Sequence, residues 1–498
     1  MCTVRDLILA IDHGTTSSRA LFYHQFRVIA EHHVPFPQHF PRPLWVEHHL
    51  KEIAQSVEQA VAHAWKKVAP MRTRIVAIGL SNQRETAGIW ADDGTPLGPA
   101  LVWQDRRTEL ECRKLRNQGL EPWLQKKTGL LCDPYFSATK WAWLLRSVSL
   151  QKKRKMRLGT MDTYLVYRMT NGQSHVTDPS NACRTLLYNI RTHSWDKELL
   201  DLFGISLAHL PKILPSGSLF GQTEKFAGLP NGIPIYGVCG DQQAALLGQG
   251  ATQTGDVKCT YGTGAFLMAN IGPKPIQSKH RLLTTIAWKT KDKCTYALEG
   301  SAFVAGAAID WLIQNGILKH PTEIELLLKS VPGPEGVVFV PALAGLGAPH
   351  WNAHAHGAFF GLSRHTQRAH LVSATLHGIA AQTNDLLQAM RRDLGRPLKT
   401  LHVDGGMSVN RRFLKIQAQW AQSNLRASAQ SEKTALGAAL MAAFGVGMLP
   451  KLEQAKQYLQ KGWFLPKPKR HDITPGNRTR WASAVRACIE DAKALPPA

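Results

Sequence analysis

The sequence lacks a long uncharged run of the kind that crosses a membrane. Its longest nearly uncharged stretch, TALGAALMAAFGVGMLP at residues 434–450, is shorter than the roughly 18 residues that a spanning helix needs. A signal-peptide pattern is also missing, because Asp12 interrupts the first apolar run. We therefore expect no membrane span and a cytoplasmic protein, with residues 434–450 forming a helix packed closely inside it.

Paired cysteines are missing as well. No CxxC pair and no ligand-like spacing to histidine occurs among the eight cysteines, which are Cys2, Cys112, Cys132, Cys183, Cys239, Cys259, Cys294 and Cys488. This scatter argues against a disulfide framework or a zinc site and favours a reducing compartment. The phosphate-binding signature GxxxxGK[ST] is also absent, which excludes a P-loop enzyme.

Acidic residues are few relative to basic ones, 36 against 60, which gives a formal net charge of +24. Such an excess can indicate a polyanionic partner. Only LQKKRKMR (150–157) and PKPKRH (466–471) stand out as basic clusters, and neither is interleaved with aromatic residues as a strand-binding groove would be. We expect no nucleic-acid partner; the alternative, a nucleic-acid binder, would show salt-sensitive association with DNA or RNA.

Apolar sequence is sufficient for more than one core, since 44% of the 498 residues are hydrophobic and this length suggests two or three folding units. The strand-like runs LILAIDHGTTSSRALFY and RIVAIGLSNQRETAGIW (74–90) are separated by an amphipathic helical pattern at 49–68. Strands that alternate with such helices predict an α/β domain.

A second set of α/β signals begins near residue 255. VKCTYGTGAFLMANIG (257–272) predicts strand, glycine turn and strand, and TLHVDGGMSVNRRFLKIQAQWAQ (400–422) predicts strand, glycine loop and helix. On this pattern Asp404 is expected to correspond to Asp12 of the first half. The sequence therefore predicts two related domains, 1–250 and 251–498, with a hinge near 245–256 and a cleft between them.

Three glycine loops offer phosphate-binding chemistry: DHGTTSSR (12–19), YGTGAF (261–266) and DGGMSVN (404–410). Glycine lets backbone amides approach a phosphate closely, hydroxyls add donors, and an aspartate at a strand end can hold the water shell of Mg²⁺. One such loop alone is more often ordinary turn chemistry. Three of them in two related halves indicate a nucleotide site.

These loops belong to a longer series of segments that resembles the FGGY family of carbohydrate kinases, within the actin-like ATPase superfamily. The series covers the chain from about Leu7 to Phe464: DHGTTSSRA, WVEH, SNQRET, VWQDRRT, DPYFSATK, HVTDPSNACRT, GDQQAALLGQ, TYGTGAF, LEGSAFVAGAAIDWL, GLGAPHW, GAFFGL and VDGG. The resemblance implies two related actin-like (ribonuclease H-like) domains and ATP-dependent phosphorylation of glycerol to sn-glycerol 3-phosphate, with Mg²⁺ as cofactor.

The resemblance also implies roles for residues on the polyol side of the cleft. Asp241 matches the catalytic base, which orients the attacking hydroxyl; a carboxylate is a weak base, but a loose phosphoryl-transfer transition state releases the proton late. The residues that match hydroxyl-binding positions are Arg84, Glu85, Tyr135, Gln242 and Asp241 itself. Those that match positions lining the glycerol carbons are Trp103 and Phe266.

On the nucleotide side, the resemblance implies ATP contacts from both halves of the chain. Those expected at the phosphates are Thr15, Thr16, Ser17, Arg19 and Thr263, and those beside the adenosine are Gly306, Asp310, Gly406 and Asn410. Asp12 would reach Mg²⁺ through water. Asp310 stands where the family pattern leads us to expect glutamine, so the adenine-side contact is altered there.

Other departures from the family pattern, at His13, Cys183 and His350, remove no group required for transfer. The loop 225–235 lacks the basic, glycine-rich stretch for a sugar bisphosphate inhibitor, and the C-terminal segment lacks the acidic residues for a phosphotransferase regulator, so neither control is expected. Two alternatives stay open: a kinase of another small polyol or sugar in the same family, and a non-catalytic ATP-binding protein. The assembly could equally be a homodimer or a homotetramer.

Overall fold

The computed structural model describes residues 5–71, 73–149, 155–428, 432–459, 462–468 and 473–494. Cys2 and most of the two basic clusters lie outside the described residues. The strands are β1 (Arg5–His13), β2 (Ser17–His24), β3 (Arg27–Pro35), β4 (Glu47–His48), β5 (Thr73–Asn82), β6 (Gly88–Ala91), β7 (Ala100–Leu101), β8 (Met156–Gly159), β9 (Val176–Thr177), β10 (Tyr188–Asn189), β11 (Ser194–Trp195), β12 (Lys212–Ile213), β13 (Gly221–Gln222), β14 (Pro234–Gly240), β15 (Val257–Tyr261), β16 (Ala265–Gly272), β17 (Leu283–Lys289), β18 (Cys294–Ala302), β19 (Val338–Val340), β20 (Ala358–Phe360), β21 (Thr400–Asp404), β22 (Asn424–Ala427) and β23 (Trp463–Leu465).

Helices connect and cover these strands. The α-helices are Leu50–Val68, Glu109–Asn117, Glu121–Thr128, Ser137–Ser147, Met161–Met169, Pro179–Ala182, Lys197–Phe203, Asp241–Gly248, Gly306–Gln314, Glu323–Lys329, Arg368–Leu394, Arg411–Ala421, Lys433–Gly445 and Pro475–Ala494; the 3₁₀ helices are Leu207–His209, Gly406–Val409 and Leu452–Tyr458. Within the described ranges, no helix combines the length and the apolar character needed to cross a bilayer.

Two mixed sheets form the framework of the molecule. The first has the order β13-β14-β5-β1-β2-β3 and the second β17-β18-β16-β15-β21-β22-β23. In the first, β14, β5 and β1 are parallel, and β2 and β3 continue antiparallel. The second repeats this arrangement with β22, β21 and β15, followed by β16 and β18. The predicted duplication is therefore confirmed, while the boundary at 250/251 stays a prediction.

The topology corrects the expected correspondence between Asp12 and Asp404. Asp12 lies on β1, whose counterpart is β15, so the turn at Gly262–Gly264 is the true equivalent of the turn at Gly14. Asp404 ends β21, whose counterpart is β5. The parallel strands β15 and β21 end at the same edge of the second sheet, with Gly262 following β15 and Asp404 ending β21; the sequence pattern alone could not distinguish them.

The first predicted helix is confirmed as Leu50–Val68, which lies between β4 and β5. It buries the apolar face formed by Ile53, Val57 and Val61 against β2 and β3. The strand-loop-helix pattern at 400–422 is also confirmed, as β21, a 3₁₀ turn and the helix Arg411–Ala421. Apolar residues recur in these elements at the spacing of a helix or a strand, so the local sequence determines them.

The small-residue segment forms the helix Lys433–Gly445, which is buried as predicted but ends before residue 450. Although it follows the second sheet in the chain, it packs on β1, β5 and β14 of the first sheet and on the helix Asp241–Gly248. A Cβ at Gly437 would lie 1.8 Å from the Ala244 carbonyl oxygen, and one at Gly79 would lie 2.2 Å from that of Ala438. Glycine at these positions permits the backbones to approach, and this contact joins the two halves.

Candidate active site

The polyol side of the cleft begins where β5 ends, at Arg84 and Glu85. Both side chains are buried, although a buried charge is costly unless it is paired. Glu85 has a left-handed backbone, with φ of +61°, which is strained for a residue other than glycine. Its carbonyl oxygen accepts hydrogen bonds from Ser137 Oγ at 2.9 Å and from Lys140 Nζ at 3.4 Å. These contacts hold the turn that presents both charges to the cleft.

Glu299, on β18 of the second sheet, binds the guanidinium of Arg84 with both carboxylate oxygens, at 2.6 and 2.7 Å. Arg184, which is fully buried, donates to Glu85 Oε1 at 2.5 Å and to Glu299 Oε1 at 3.3 Å. Two arginines and two glutamates therefore form one buried network that joins the two halves of the molecule.

The two glutamates of this network differ in their electrostatics. Burial alone would raise the pKa of Glu299, but Arg184 and Arg84 lower it to about 2. For Glu85 burial outweighs the same two arginines, and its pKa is raised. In the described part of the chain, Glu85 Oε2 accepts no hydrogen bond. A hydroxyl group that donated to this oxygen would stabilise a carboxylate that is incompletely solvated.

An aromatic wall lies beside this network. The ring of Trp103 is perpendicular to those of Tyr135 and Phe266, with centroid distances of 5.7 and 6.3 Å. The indole Nε1 donates to Thr15 Oγ1 at 3.0 Å. Because Phe266 lies on β16 and Thr15 on the β1–β2 turn, Trp103 contacts both halves. Three half-buried rings thus form an apolar surface suited to the carbon side of a small molecule.

Asp241 is the first residue of the helix Asp241–Gly248, and its carboxylate lies at the open side of the network. Its Oδ1 is 3.2 Å from Arg84 Nε and accepts a hydrogen bond from the Gln242 amide at 2.7 Å. The side chain remains 28% exposed, so a ligand can reach it. Gln242 accepts a hydrogen bond from Lys258, a buried residue of β15. The predicted polyol-side residues are therefore brought together around one opening.

The β1–β2 turn carries the hydroxyl-rich loop. Its ends are closed by the Gly14 amide, which donates to the Ser17 carbonyl at 2.9 Å, and the side chains of Thr15, Thr16 and Ser17 are half-buried or exposed. Arg19, predicted to meet phosphate, instead pairs with Glu432 at 2.5 Å. Glu432 immediately precedes the helix Lys433–Gly445, so this pair also bridges the halves.

Asp12 lies opposite Arg19 in the β1–β2 register, and Ser81 Oγ donates to its Oδ1 at 2.8 Å. Burial raises the pKa of Asp12 to about 6. A carboxylate short of stabilisation, next to hydroxyls that face an opening, fits a hydrated divalent cation, since such an ion supplies the missing positive charge.

The nucleotide side is built mainly from backbone. The Gly262 and Thr263 carbonyl oxygens accept hydrogen bonds from the amides of Gly306 and Ala307 at 2.9 and 3.1 Å, which sets the turn on the start of the helix Gly306–Gln314. Asp310 is exposed one turn further along this helix.

The third loop lies against this turn. Gly405 has φ of +87°, and a Cβ there would lie 2.2 Å from the Tyr261 carbonyl oxygen. Asn410 caps the helix Arg411–Ala421 by accepting a hydrogen bond from the Phe413 amide at 2.9 Å. Gly406 lies in open space. The predicted nucleotide-side residues of the second half thus lie on neighbouring loops that form one rim.

Sequence reasoning gave no role to Glu299, Arg184 or Lys258, although each lies in a segment that it singled out. The available signal was a charged residue in an otherwise apolar strand, as Glu299 is in TYALEGSA (295–302). Such a residue is rarely buried without a partner. The departures at His13 and Cys183 are explained by packing: both are buried, His13 beside Ser18 and Cys183 beside Thr285, at 3.0 Å each.

Two related actin-like domains, with a buried charge network and an aromatic wall beside glycine turns, are the arrangement of a phosphotransferase of the sugar-kinase type. Family models agree: residues 7–248 match the N-terminal domain of the FGGY family of carbohydrate kinases, and residues 257–446 match its C-terminal domain. The chain belongs to this family, as the sequence resemblance predicted.

The names of similar proteins are more specific than the family name. A glycerol kinase of Bdellovibrio bacteriovorus is 46% identical over 490 residues, covering 96% of this chain and 98% of its own. One of Thermus brockianus is 47% identical, covering 92% and 94%. The structure of Plasmodium falciparum glycerol kinase with ADP superposes with a TM-score of 0.91, at 32% identity and full coverage of both chains. A xylulose kinase of Lactobacillus acidophilus, at 21% identity and a TM-score of 0.87 over 98% of each chain, shares the fold.

Proposed function

We propose that the protein transfers the γ-phosphoryl group of ATP to a terminal hydroxyl of glycerol, giving ADP and sn-glycerol 3-phosphate. The observation that carries this proposal is the opening between the buried charge network and the aromatic wall. Arg84, Glu85 and Asp241 supply donors and acceptors on one side, and Trp103 and Phe266 supply apolar surface on the other. A three-carbon triol has hydroxyls along one edge and carbons along the other.

Asp241 acts as the catalytic base in this proposal. Arg84 and the Gln242 amide engage Oδ1, while Oδ2 accepts only a long hydrogen bond of 3.5 Å from Gln242 Nε2 and would accept the proton of the attacking hydroxyl. Phosphoryl transfer has a loose transition state, so the proton leaves late and the carboxylate mainly orients the nucleophile. Glu85 and Gln242 hold the neighbouring hydroxyls, with Tyr135 as a further donor. Rigid supports for these groups keep the reacting atoms in line.

ATP would lie between the two glycine turns. We assign the β- and γ-phosphates to Thr15, Thr16, Ser17 and Thr263, and the adenosine to the rim formed by Gly306, Asp310, Gly406 and Asn410. Arg19 would reach the phosphates by leaving Glu432, its partner at 2.5 Å. Asp12 would hold Mg²⁺ through water, and the ion when bound neutralises phosphate charge.

A coupled ADP-release assay tests this function with glycerol, dihydroxyacetone, xylulose and ribulose as acceptors. We expect ATP turnover that depends on glycerol and is at least about tenfold less efficient with the sugars, because a buried polar group left unpaired by the wrong acceptor costs affinity. Turnover with a sugar instead would assign a different kinase activity within the family. Slow ATP hydrolysis indifferent to every acceptor would indicate a non-catalytic ATP-binding protein.

A further inference from the structure

A second cavity lies away from the cleft, next to the segment that connects the two halves. It has a volume of about 520 Å³ and is lined by the connecting segment at Gln249–Asp256, by β21 and β22, and by residues 456–459. None of the residues assigned above to glycerol, ATP or Mg²⁺ is among the lining residues that the structure describes. The volume is within the range typical of sites for small molecules.

The charge of this lining is strongly unbalanced. Four of the described lining residues are basic, Lys399, Arg426, Lys433 and Lys456, against a single carboxylate, Asp256. Lys433 also interacts with the carboxylate of Asp404, which is not among the lining residues, so the uncompensated charge comes mainly from Lys399 and Arg426. Asp256 Oδ2 is 3.0 Å from Lys456 Nζ, so it is already engaged. Lys399 and Arg426 are exposed and Lys456 is partly exposed, so water screens part of their mutual repulsion, but the excess of positive charge around the cavity still favours an anion over a cation. Binding of an anion would relieve this repulsion.

His402 also lines the cavity and lies among the same basic residues. It lies on β21 directly opposite Arg426 of β22 and is 8% exposed. Burial, together with Lys456, Arg426 and Lys433, lowers the pKa of His402 to about 4, although Asp256 acts in the opposite direction. The imidazole is therefore neutral at physiological pH and can donate one N–H to an acceptor in the cavity.

The cavity lies where the connecting segment meets the second sheet and residues 456–459. Asp256 and Gly255 belong to this segment, and the Lys399 amide donates to the Gly255 carbonyl at 3.0 Å. Gly250 also lies on the lining, where a Cβ would lie 2.5 Å from Leu459 Cδ1. A molecule bound here would therefore touch the connecting segment and the second sheet together.

We propose that this cavity is a second ligand site, which binds a small phosphate-bearing anion of up to about the size of a sugar phosphate. Arg426 and Lys399 are exposed at the mouth and would meet the phosphate first, since guanidinium and ammonium groups are the preferred partners of phosphate oxygens. His402, which is buried, and Lys456, which is partly exposed, complete the site.

The test measures binding with the cleft already filled. Calorimetric titrations use the full chain saturated with glycerol and ADP, at constant ionic strength set with sodium chloride, with inorganic phosphate and glucose 6-phosphate as the two probes. We expect one further molecule of probe per chain. Tighter binding of glucose 6-phosphate would identify a phosphate ester as the ligand, and tighter binding of inorganic phosphate would identify the free ion. Binding of neither probe would overturn the proposal.

A matched pair of double variants separates a built site from a general effect of charge. Lys399→Gln with Arg426→Gln removes two exposed cations from the mouth, and we expect at least tenfold weaker probe binding. Lys291→Gln with Arg364→Gln removes two exposed cations elsewhere, and binding should remain as in the unmodified chain. Equal weakening in both variants would refute the site. Glycerol-dependent turnover is measured in parallel and should be unchanged in both, so failure of this proposal is distinguishable from failure of the proposed function.

Discussion

The polyol side of the cleft is built mainly from charged side chains, and the nucleotide side mainly from backbone. On the polyol side, buried charged side chains from both halves, Arg84, Arg184, Glu85 and Glu299, pair with one another at distances of 2.5 to 3.9 Å. On the nucleotide side, glycine turns and helix starts present backbone, and the rim side chains are exposed, as at Asp310, or half-buried, as at Asn410. Charge pairs hold one side together, and close contacts between backbones hold the other.

This difference follows from what each side has to recognise. A three-carbon triol offers only three hydroxyls, so discrimination depends on directional, charge-assisted hydrogen bonds held by a fixed network. A nucleotide brings several phosphate charges of its own, which backbone amides and hydroxyls can bind once the chain comes close enough. Substitutions on the polyol side and on the nucleotide side should therefore have different effects on stability, turnover and binding.

The largest effect is expected from breaking the polyol side at Glu299. Glu299→Gln keeps the shape but leaves Arg84 and Arg184 short of a buried partner, so the free energy of unfolding should fall by about 3 to 5 kcal/mol. Glu325→Gln is the control, because its pair with Arg412 is exposed and should contribute less than about 1 kcal/mol. Urea unfolding measures both, and equal losses would contradict the buried network.

The same variant makes a prediction about pH. The pKa of Glu299 is about 2 in the folded chain against an ordinary value of 4.5, so folding favours its ionised form. Its contribution to stability is therefore complete above pH 4.5 and is lost as the pH falls toward 2. The difference in unfolding free energy between the unmodified chain and Glu299→Gln should narrow across this range; a difference that stays constant would contradict the assigned pKa.

The second-largest effect is expected for Asp241→Asn, which should change the phosphoryl-transfer step and neither folding nor ligand binding. Asparagine preserves the shape and the helix start but cannot accept the proton, so turnover should drop by about 100-fold or more. Unfolding temperature and the affinities for glycerol and ADP should remain close to those of the unmodified chain. Near-native turnover in a folded, ligand-binding variant would show that Asp241 is not the base.

On the nucleotide side, two adjacent glycines form a matched pair. Gly405→Ala introduces a Cβ 2.2 Å from the Tyr261 carbonyl oxygen at φ of +87°, and should cost about 1 to 3 kcal/mol of stability. Gly406→Ala meets nothing within 4 Å, so stability should hold while the methyl group weakens ATP binding. Calorimetry of unfolding and of ADP binding distinguishes the two; equal stability in both variants would contradict the close contact.

The smallest effect is expected at Asp310. Because this side chain is exposed, Asp310→Gln should lower the KM for ATP by only about twofold, in line with one solvent-accessible hydrogen bond of about 0.5 kcal/mol. The value of kcat should not change. A large change in kcat would show that this position contributes to transfer as well as to binding.

The sequence by itself determined the α/β class, the duplicated halves and the family, and it predicted part of the set of residues that lie at the cleft. These rest on local signals, namely strand and helix periods and glycine turns, together with motifs whose order along the chain is preserved. The helix Leu50–Val68 and the turn at Gly262–Gly264 are examples, since neighbouring residues suffice to specify each of them.

Only the tertiary structure showed which half of the molecule each element packs against. The helix Lys433–Gly445 packs on the first sheet although it follows the second in the chain, and Glu299 reaches across to Arg84 and Arg184. The register of the sheets also showed that Asp404 corresponds to the end of β5 and not to Asp12. The physical reason is that these contacts join residues hundreds of positions apart, where burial and charge pairing in three dimensions, rather than any local pattern, determine the partner.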